Sequence, residues 1–299
     1  MFIKVIQKIV RKQRSLLVNE IDLQVKKSRA ISELLALNRY SQEPIIDGAQ
    51  KDLSVSLTTF GRRINDVFLA IESIGCQTLR PGRIALWLAN DEFNDKNLPI
   101  SIKRLQARGL NVCYSDNIKV YLKLLPAFQA WPDDCIITID DDVIYGFDLV
   151  EQLYCAYRDN PGIIHCGIAR RMQVVNRQLT PYGSWMQNSP ETKAADHRNF
   201  ALGVGGVLYF PKCFHRDITD IKKIMRLSPH NDDIWYKVMC LLNKTKVQSI
   251  YNKYSAASHF IPIQLAQNDS LSMINVIGNK NDEQLQNAFS EYDAIGLLN

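Results

Sequence analysis

Apolar and polar residues follow two different rhythms along this 299-residue chain, and the change falls near residue 50. In the first segment Phe2, Ile3, Val5, Ile6, Ile9 and Val10 are interleaved with Lys4, Lys8, Arg11, Lys12 and Arg14. That spacing predicts an amphipathic basic helix. A second helical stretch is expected over "IDLQVKKSRAISELLAL", and "SQEPIIDGAQKD", with Pro44 and Gly48, reads as a linker. Residues 1–50 are therefore expected to form a helical extension and linker, and residues 51–299 a single domain.

From residue 53 short apolar runs alternate with helical periods. "LSVSLTT", "RIALWLAN", "LNVCYS" and "CIITID" read as strands. Between them "INDVFLAIESIGCQ", "KNLPISIKRLQARG" and "YLKLLPAFQAW" read as helices. Repeated β-α-β of this kind predicts an α/β fold, a Rossmann-like and mostly parallel sheet with helices on both faces. Such sheets bind ligands beyond the carboxyl ends of their strands. Beyond residue 148 the alternation loosens: "FDLVEQLYCAYRDNPG" reads as a helix, "IIHCGIA" as a strand, and residues 170–200 as a long polar segment. "GVGGVLYF" then places glycines before a strand, and "NDDIWYKVMCLLNKT" reads as a helix opening on acids.

Charge sharpens the division. The formal net charge is +5, and residues 1–40 hold nine Lys or Arg against Glu20, Asp22 and Glu33, so the other 259 residues sum to about −1. The basic balance belongs to the N-terminal segment, whose helices are expected either to pack on the body or another subunit, or to contact anionic lipid headgroups on the inner membrane surface. No basic stripe interleaved with aromatics stands out in the body, which argues against a nucleic-acid partner. The seven cysteines are scattered without a C-x-x-C pair, a pattern of reduced thiols. No apolar run reaches membrane-spanning length, and lysines break "MFIKVIQKIVRKQR" as a signal peptide, so a cytoplasmic location is expected.

The first candidate for chemistry is "CIITIDDDVIYG", in which Asp140, Asp141 and Asp142 close a buried-looking strand. Three adjacent carboxylates repel one another unless a cation or hydrogen-bond donors offset them. Oxygen-only ligands suit magnesium or manganese, which take one or two carboxylates together with substrate phosphates. If the strand continues through the triplet, Asp140 and Asp142 project to one side and Asp141 to the other. A solvated turn or an acidic helix cap is the plainer alternative. A second acidic pair, Asp232 and Asp233, follows about ninety residues on in "NDDIWY". There Asn231 or Asp232 would also make a good N-cap, and acids suit the helix dipole.

"VSLTTFGRRINDVFLAIESIGCQTLRPGRIALWLANDEF", "YLKLLPAFQAWPDDCIITIDDDVIYGFDLVEQLY", "GVGGVLYFP" and "NDDIWYKVMCLLNKT" together resemble the bacterial glycosyltransferases of the GT-A fold. The likeness is to the family 2-like enzymes of capsule and lipopolysaccharide assembly. It covers most of residues 53–290, with the four segments in the family's order. The resemblance implies that Asp140 and Asp142 match a DxD motif holding manganese or magnesium against a nucleotide-sugar diphosphate. It implies that Thr58, Thr59 and Arg62 approach base and ribose, that Lys123 lies near the nucleotide, and that Asp141 supports the loop or the ribose. It places the catalytic base at Asp233, with Asp232 as the alternate, because this chain has Asp where the family usually has Glu before its base. The implied reaction is inverting, metal-dependent transfer from a UDP-sugar to a glycan or lipid-linked glycan acceptor.

Other residues carry weaker expectations. Gly203, Gly205 and Gly206 would let the backbone approach a ligand, Arg170, Arg171 and Trp185 lie on the expected acceptor side, and His259 is either a late metal ligand or a structural histidine. Two rivals stand beside the leading reading. A sugar-phosphate nucleotidyltransferase should show a glycine-rich phosphate loop after its first strand, which "TTFGRRIND" lacks. A non-catalytic glycan-binding or scaffold protein would have no need of both acidic clusters.

Overall fold

The computed structural model describes residues 2–251, 259–263 and 280–298; side chains are described from residue 21 onward, together with Arg14 and Val18. The chain divides into two compact units, Met1–Ser41 and Gln42–Asn299. The first is one helix, α1 (Phe2–Tyr40), where the sequence suggested two stretches. The proposed basic face over Phe2–Arg14 lies, apart from Arg14, outside the described side chains. Further along, Arg29 Nε meets Glu33 Oε1 at 2.8 Å, a helical i,i+4 pair. Among the described residues no helix is long and apolar enough to cross a membrane.

The second unit begins at Gln42, within the segment that reads as a linker. Residues 42–50 belong to the second unit because they are tied down there: Ile45 is fully buried, its N–H donates to Arg108 O (3.0 Å), and Asp47 N–H donates to Pro81 O (2.8 Å).

The second unit carries the expected alternation. In chain order it contains β1 (Leu53–Thr58), α2 (Val67–Gly75), β2 (Arg83–Ala89), α3 (Ile100–Ala107), β3 (Leu110–Ser115), α4 (Leu125–Ala130), β4 (Cys135–Thr138) and β5 (Val143–Tyr145). Then come α5 (Leu149–Asp159), β6 (Ile163–Cys166), β7 (Ala169–Arg171), β8 (Val174–Val175), β9 (Gln178–Leu179), β10 (Met186–Gln187), β11 (Asn199–Ala201) and β12 (Val207–Tyr209). The remaining elements are α6 (Ile221–Leu227), α7 (Asp232–Leu242), β13 (Lys246–Ser249), β14 (Phe260–Pro262) and α8 (Lys280–Glu291).

Seven strands form the central sheet in the order β13-β6-β12-β4-β1-β2-β3. It is parallel except for β12, which runs antiparallel to both β4 and β6. Leu53, Val55 and Leu57 on one side of β1 and Ser54 and Ser56 on the other are all buried, as a parallel sheet covered on both faces requires. The two serines on the second side are satisfied there: Ser56 Oγ donates to Lys123 O at 2.6 Å, which ties the segment before α4 to the first strand.

Two consequences of this topology position the site. β4 ends at Thr138, so Asp140–Asp142 lie in the connection to β5, outside the extended strand assumed above. β12, inserted antiparallel beside β4, brings the glycine segment at 203–206 back to the same edge. β5 pairs with β14, and Ile263 N–H donates to Asp142 O (2.7 Å), so the chain near residue 262 closes on the aspartate turn.

All seven cysteines are free thiols, in keeping with their spacing. A buried ion pair fastens α2 to the end of α3: Arg108 Nη1 meets Glu72 Oε1 at 2.6 Å, with Glu72 fully buried. Arg108 Nε also donates to Glu43 O at 2.7 Å. Removing one member of a buried pair strands the other charge away from water. Glu72→Ala should therefore lose about 3–5 kcal/mol of unfolding free energy in urea titrations, and the Glu72→Leu/Arg108→Leu double variant should lose less. A loss below about 1 kcal/mol for the single variant would contradict a buried, uncompensated arginine.

Candidate active site

The aspartate turn, the glycine segment and the start of α7 meet at a cavity of about 750 Å³. Its lining includes all five candidate acids, Asp140, Asp141, Asp142, Asp232 and Asp233, together with Thr58, Thr59 and Lys123. The two acidic clusters, separate in sequence, thus face one space.

Lys123 connects them. Its Nζ lies 3.0 Å from Asp140 Oδ1 and 3.0 Å from Asp232 Oδ2, and the residue is buried. Burial would lower the ammonium's proton affinity, but Asp140, Asp232 and Asp233 outweigh it and hold its pKa well above the ordinary lysine value. A side chain at Gly203 would displace this ammonium: a Cβ there would stand 2.6 Å from Lys123 Nζ and 3.2 Å from Asp233 Oδ1. The Gly203 amide instead donates to both Asp233 oxygens at 3.1 Å. Approach of bare backbone to a carboxylate is what the glycine supplies.

Asp232 and Asp233 differ in surroundings although they are neighbours. Asn231 caps α7, its side chain accepting from Ile234 N–H at 3.3 Å, so the cap role falls on Asn231 and leaves the two acids to the cavity. Asp232 is buried against Lys123, whereas Asp233 is partly exposed. Burial, then the charge of Asp232, pushes the Asp233 carboxyl up to about 8, against the opposing pull of Lys123. Asp232 is raised as well, by burial first.

The triplet is arranged differently from the expected alternation. Asp141 and Asp142 converge on one guanidinium: Arg63 Nη2 is 2.6 Å from Asp141 Oδ1 and 2.7 Å from Asp142 Oδ2. Thr59 Oγ1 donates to Asp141 Oδ2 at 2.6 Å. Asp140 turns instead to Lys123. The reason is the turn itself, since leaving the strand at Thr138 removes the two-residue periodicity. Asp141, buried beneath these partners, is raised to about 7 by desolvation despite Arg63.

Arg62, expected near base and ribose, is exposed and outside the cavity lining, while its neighbour Arg63 is buried within it. The short 3-10 helix Gly61–Asn65 sets this choice. It opens at Gly61 with φ +55°, a left-handed conformation that glycine tolerates, and the Gly61 amide donates to Glu92 Oε1 at 2.6 Å. Thr58 lines the cavity but its Oγ1 donates to Trp87 O (2.8 Å).

Tyr145 is a positioning residue that the sequence did not single out. The Asp140 amide donates to its hydroxyl at 2.8 Å, and that hydroxyl donates to Val204 O at 3.2 Å, joining the aspartate turn to the glycine segment. On the opposite wall, Asn231 Nδ2 donates to Asn281 Oδ1 (2.8 Å), and Tyr182 N–H donates to Asp282 Oδ1 (2.7 Å), so α8 ties down both the α7 start and the backbone at Tyr182.

The residues expected on the acceptor side do not line the cavity, although Arg170 and Trp185 pack on Tyr182, which does. Trp185 is buried in an aromatic cluster with Tyr182 and Phe200, Arg170 stacks on Tyr182 at 4.7 Å, and Arg171 pairs with Asp196 at 3.0 Å. His259 stacks on Tyr251 at 4.3 Å, with Nε2 3.5 Å from Asp148. Asp140 and Asp142 offer the cavity hard oxygen donors of the type magnesium and manganese take. No group of three His, Cys, Asp or Glu among the described residues is placed to hold a metal alone. This donor set fits an ion that completes its shell with substrate phosphates.

No protein-family model matches the sequence, and no curated protein matches it. Solved structures of similar architecture exist at low identity. S. aureus TarS in complex with UDP is 14% identical with a TM-score of 0.45, over 70% of this chain and 59% of that one. The mannosyltransferase PcManGT from Pyrobaculum calidifontis, in complex with GDP-Man and Mn2+, is 11% identical with a TM-score of 0.43, over 78% of this chain and 65% of that one. UTP-bound UGPase from Acinetobacter baumannii is 11% identical with a TM-score of 0.34, over 69% of this chain and 91% of that one. The chain thus spans less than two thirds of the length of the first two.

The raised Asp233 carboxyl has a sign that can be tested. A carboxyl whose folded pKa exceeds its unfolded value stabilises the fold while protonated, and that contribution is lost as pH rises toward about 8. Asp233→Asn, which cannot ionise, should gain thermal stability over the parent on going from pH 5 to pH 8.5, the gap in Tm widening by about 5 °C. A gap that does not change with pH would contradict the raised value.

Proposed function

We propose that this chain is an inverting, metal-dependent glycosyltransferase that moves a sugar from a UDP-sugar to a glycan or lipid-linked glycan acceptor in bacterial surface-polysaccharide synthesis. One observation carries the reading: the aspartate turn and the Asp232–Asp233 pair face a single cavity large enough for a nucleotide-sugar, with Lys123 between them. The charged residues lining it are six acids, counting Glu92, against Arg63, Lys119 and Lys123. A diphosphate entering so acidic a space needs a cation to accompany it.

Asp140 and Asp142 would hold that ion, manganese or magnesium, which when bound stabilises the charge growing on the leaving diphosphate. Asp233 takes the acceptor hydroxyl proton as the new oxygen–carbon bond forms at the anomeric carbon and the bond to the diphosphate breaks. Displacement by an oxygen attacking opposite the leaving group inverts the configuration there. Asp233 suits the base because it reaches the cavity and holds a proton more tightly than an ordinary carboxylate, nearer the operating pH. Asp232, committed to Lys123, keeps that ammonium in place between donor and base. Thr59 and Asp141 fix the turn that presents the metal carboxylates. Tyr182 and Phe260 on the cavity wall supply aromatic surface that a sugar would meet. The basic α1 segment would hold the enzyme to the anionic cytoplasmic face of the membrane, where a lipid-linked acceptor resides.

The test is purified protein assayed against a panel of nucleotide-sugars, with and without manganese. Transfer or donor hydrolysis should need the metal and be lost in Asp142→Ala. Asp233→Asn should lower kcat by about 10²–10⁴-fold with little change in donor KM. Activity that needs no divalent ion and survives Asp142→Ala would contradict the metal assignment. Release of pyrophosphate from a nucleoside triphosphate and a sugar phosphate would replace transfer by nucleotidyl chemistry. For the helix, removing residues 1–40 should abolish binding to anionic liposomes; unchanged binding would remove the membrane role.

A further inference from the structure

The metal carboxylates are already engaged by the protein's own cations. Arg63 Nη2 alone contacts both Asp141 and Asp142, at 2.6 and 2.7 Å, and Lys123 holds Asp140 at 3.0 Å. Arg63 is 7% exposed, lines the cavity, and lies with its guanidinium 5.1 Å from the Phe60 ring centre. Its Nε is buried without a hydrogen-bond partner. A guanidinium binds a carboxylate best through two parallel N–H groups. Here one nitrogen is shared between two carboxylates while a donor on the same group, in a residue facing the cavity, goes unused.

We propose that Arg63 is an internal stand-in for the divalent ion: it neutralises Asp141 and Asp142 in the free protein and keeps the metal out until a diphosphate arrives. This rests on the metal-dependent reading above. A dication and a guanidinium cannot share the largely buried Asp142 carboxylate without strong repulsion. A nucleoside diphosphate supplies the anion that the idle Nε–H lacks. It draws Arg63 off Asp142 and opens that carboxylate to the ion it brings. Metal and diphosphate therefore bind with positive coupling, and by linkage each strengthens the other equally.

The experiment is manganese binding to the full chain without nucleotide, read from the paramagnetic resonance of the free ion. Arg63→Gln should bind manganese at least about 10-fold more tightly than the parent, a change of about 1.4 kcal/mol. Arg63→Lys, a point charge that cannot span two carboxylates so well, should fall between. Adding Asp142→Asn to Arg63→Gln should abolish the gain. Should Arg63→Gln fold poorly, manganese should raise its Tm more than it raises the parent's. Equal manganese affinity and equal manganese-induced Tm shifts for Arg63→Gln and the parent, with metal-dependent donor turnover still requiring Asp142, would overturn the stand-in role alone. Metal-independent turnover by the parent would overturn the metal reading and this inference with it.

Discussion

The Lys123 ammonium, placed 3.0 Å from both Asp140 and Asp232, is the contact on which the rest of the site depends. Five carboxylates around one cavity would repel one another and the fold would pay for it. A buried cation between two of them, with Arg63 between two others, makes the arrangement tolerable. Lys123 is held from behind, where Ser56 of β1 donates to its carbonyl, so the first strand of the sheet determines where the charge sits. It is held in front by the absence of a side chain at Gly203.

The sheet explains why segments so far apart in sequence can meet. β4 delivers the aspartate turn at its carboxyl end, and β12 returns antiparallel beside it so that the residues entering that strand, 203–206, lie against the turn. Tyr145 then stitches the two together through one hydroxyl, accepting from Asp140 N–H and donating to Val204 O. α7 starts where its acids can reach the same space because Asn231 caps it and Asn281 of α8 holds the cap. The site is built from strand ends and a helix start, which are stiff, while its charges are only partly compensated. The carboxylates of such a site repel one another, and under the proposed reading a divalent ion would relieve that repulsion.

Much of this was legible in the sequence because it follows from local patterning. The β-α-β rhythm, the strand before the triplet and the helix after Asn231 are set by apolar spacing and capping, and the structure has them where they were expected. What was not legible depends on geometry between segments. Arg62 and Arg63 are indistinguishable in a sequence; the left-handed turn at Gly61 decides which of them is buried. Whether a strand ends before or after three aspartates cannot be read from their alternation, so the pairing of Asp141 with Asp142 was missed. The antiparallel β12 and the role of Tyr145 come from tertiary packing, and Arg170, Arg171 and Trp185 turned out to hold their own segment together. The glycines at 203, 205 and 206 are a visible signal for close backbone approach, but that Gly203 meets the Asp233 carboxylate follows only from the packing of α7 against that segment.

The central claim is that a nucleotide diphosphate and a divalent ion meet between the aspartate turn and Asp233. Anomalous diffraction from crystals grown with UDP and manganese tests it most directly. The account predicts a manganese peak coordinated by Asp140 or Asp142, bridged to the UDP phosphates within the cavity that Lys123 spans. Manganese or UDP bound elsewhere, with Arg63 still seated on Asp142, would contradict it.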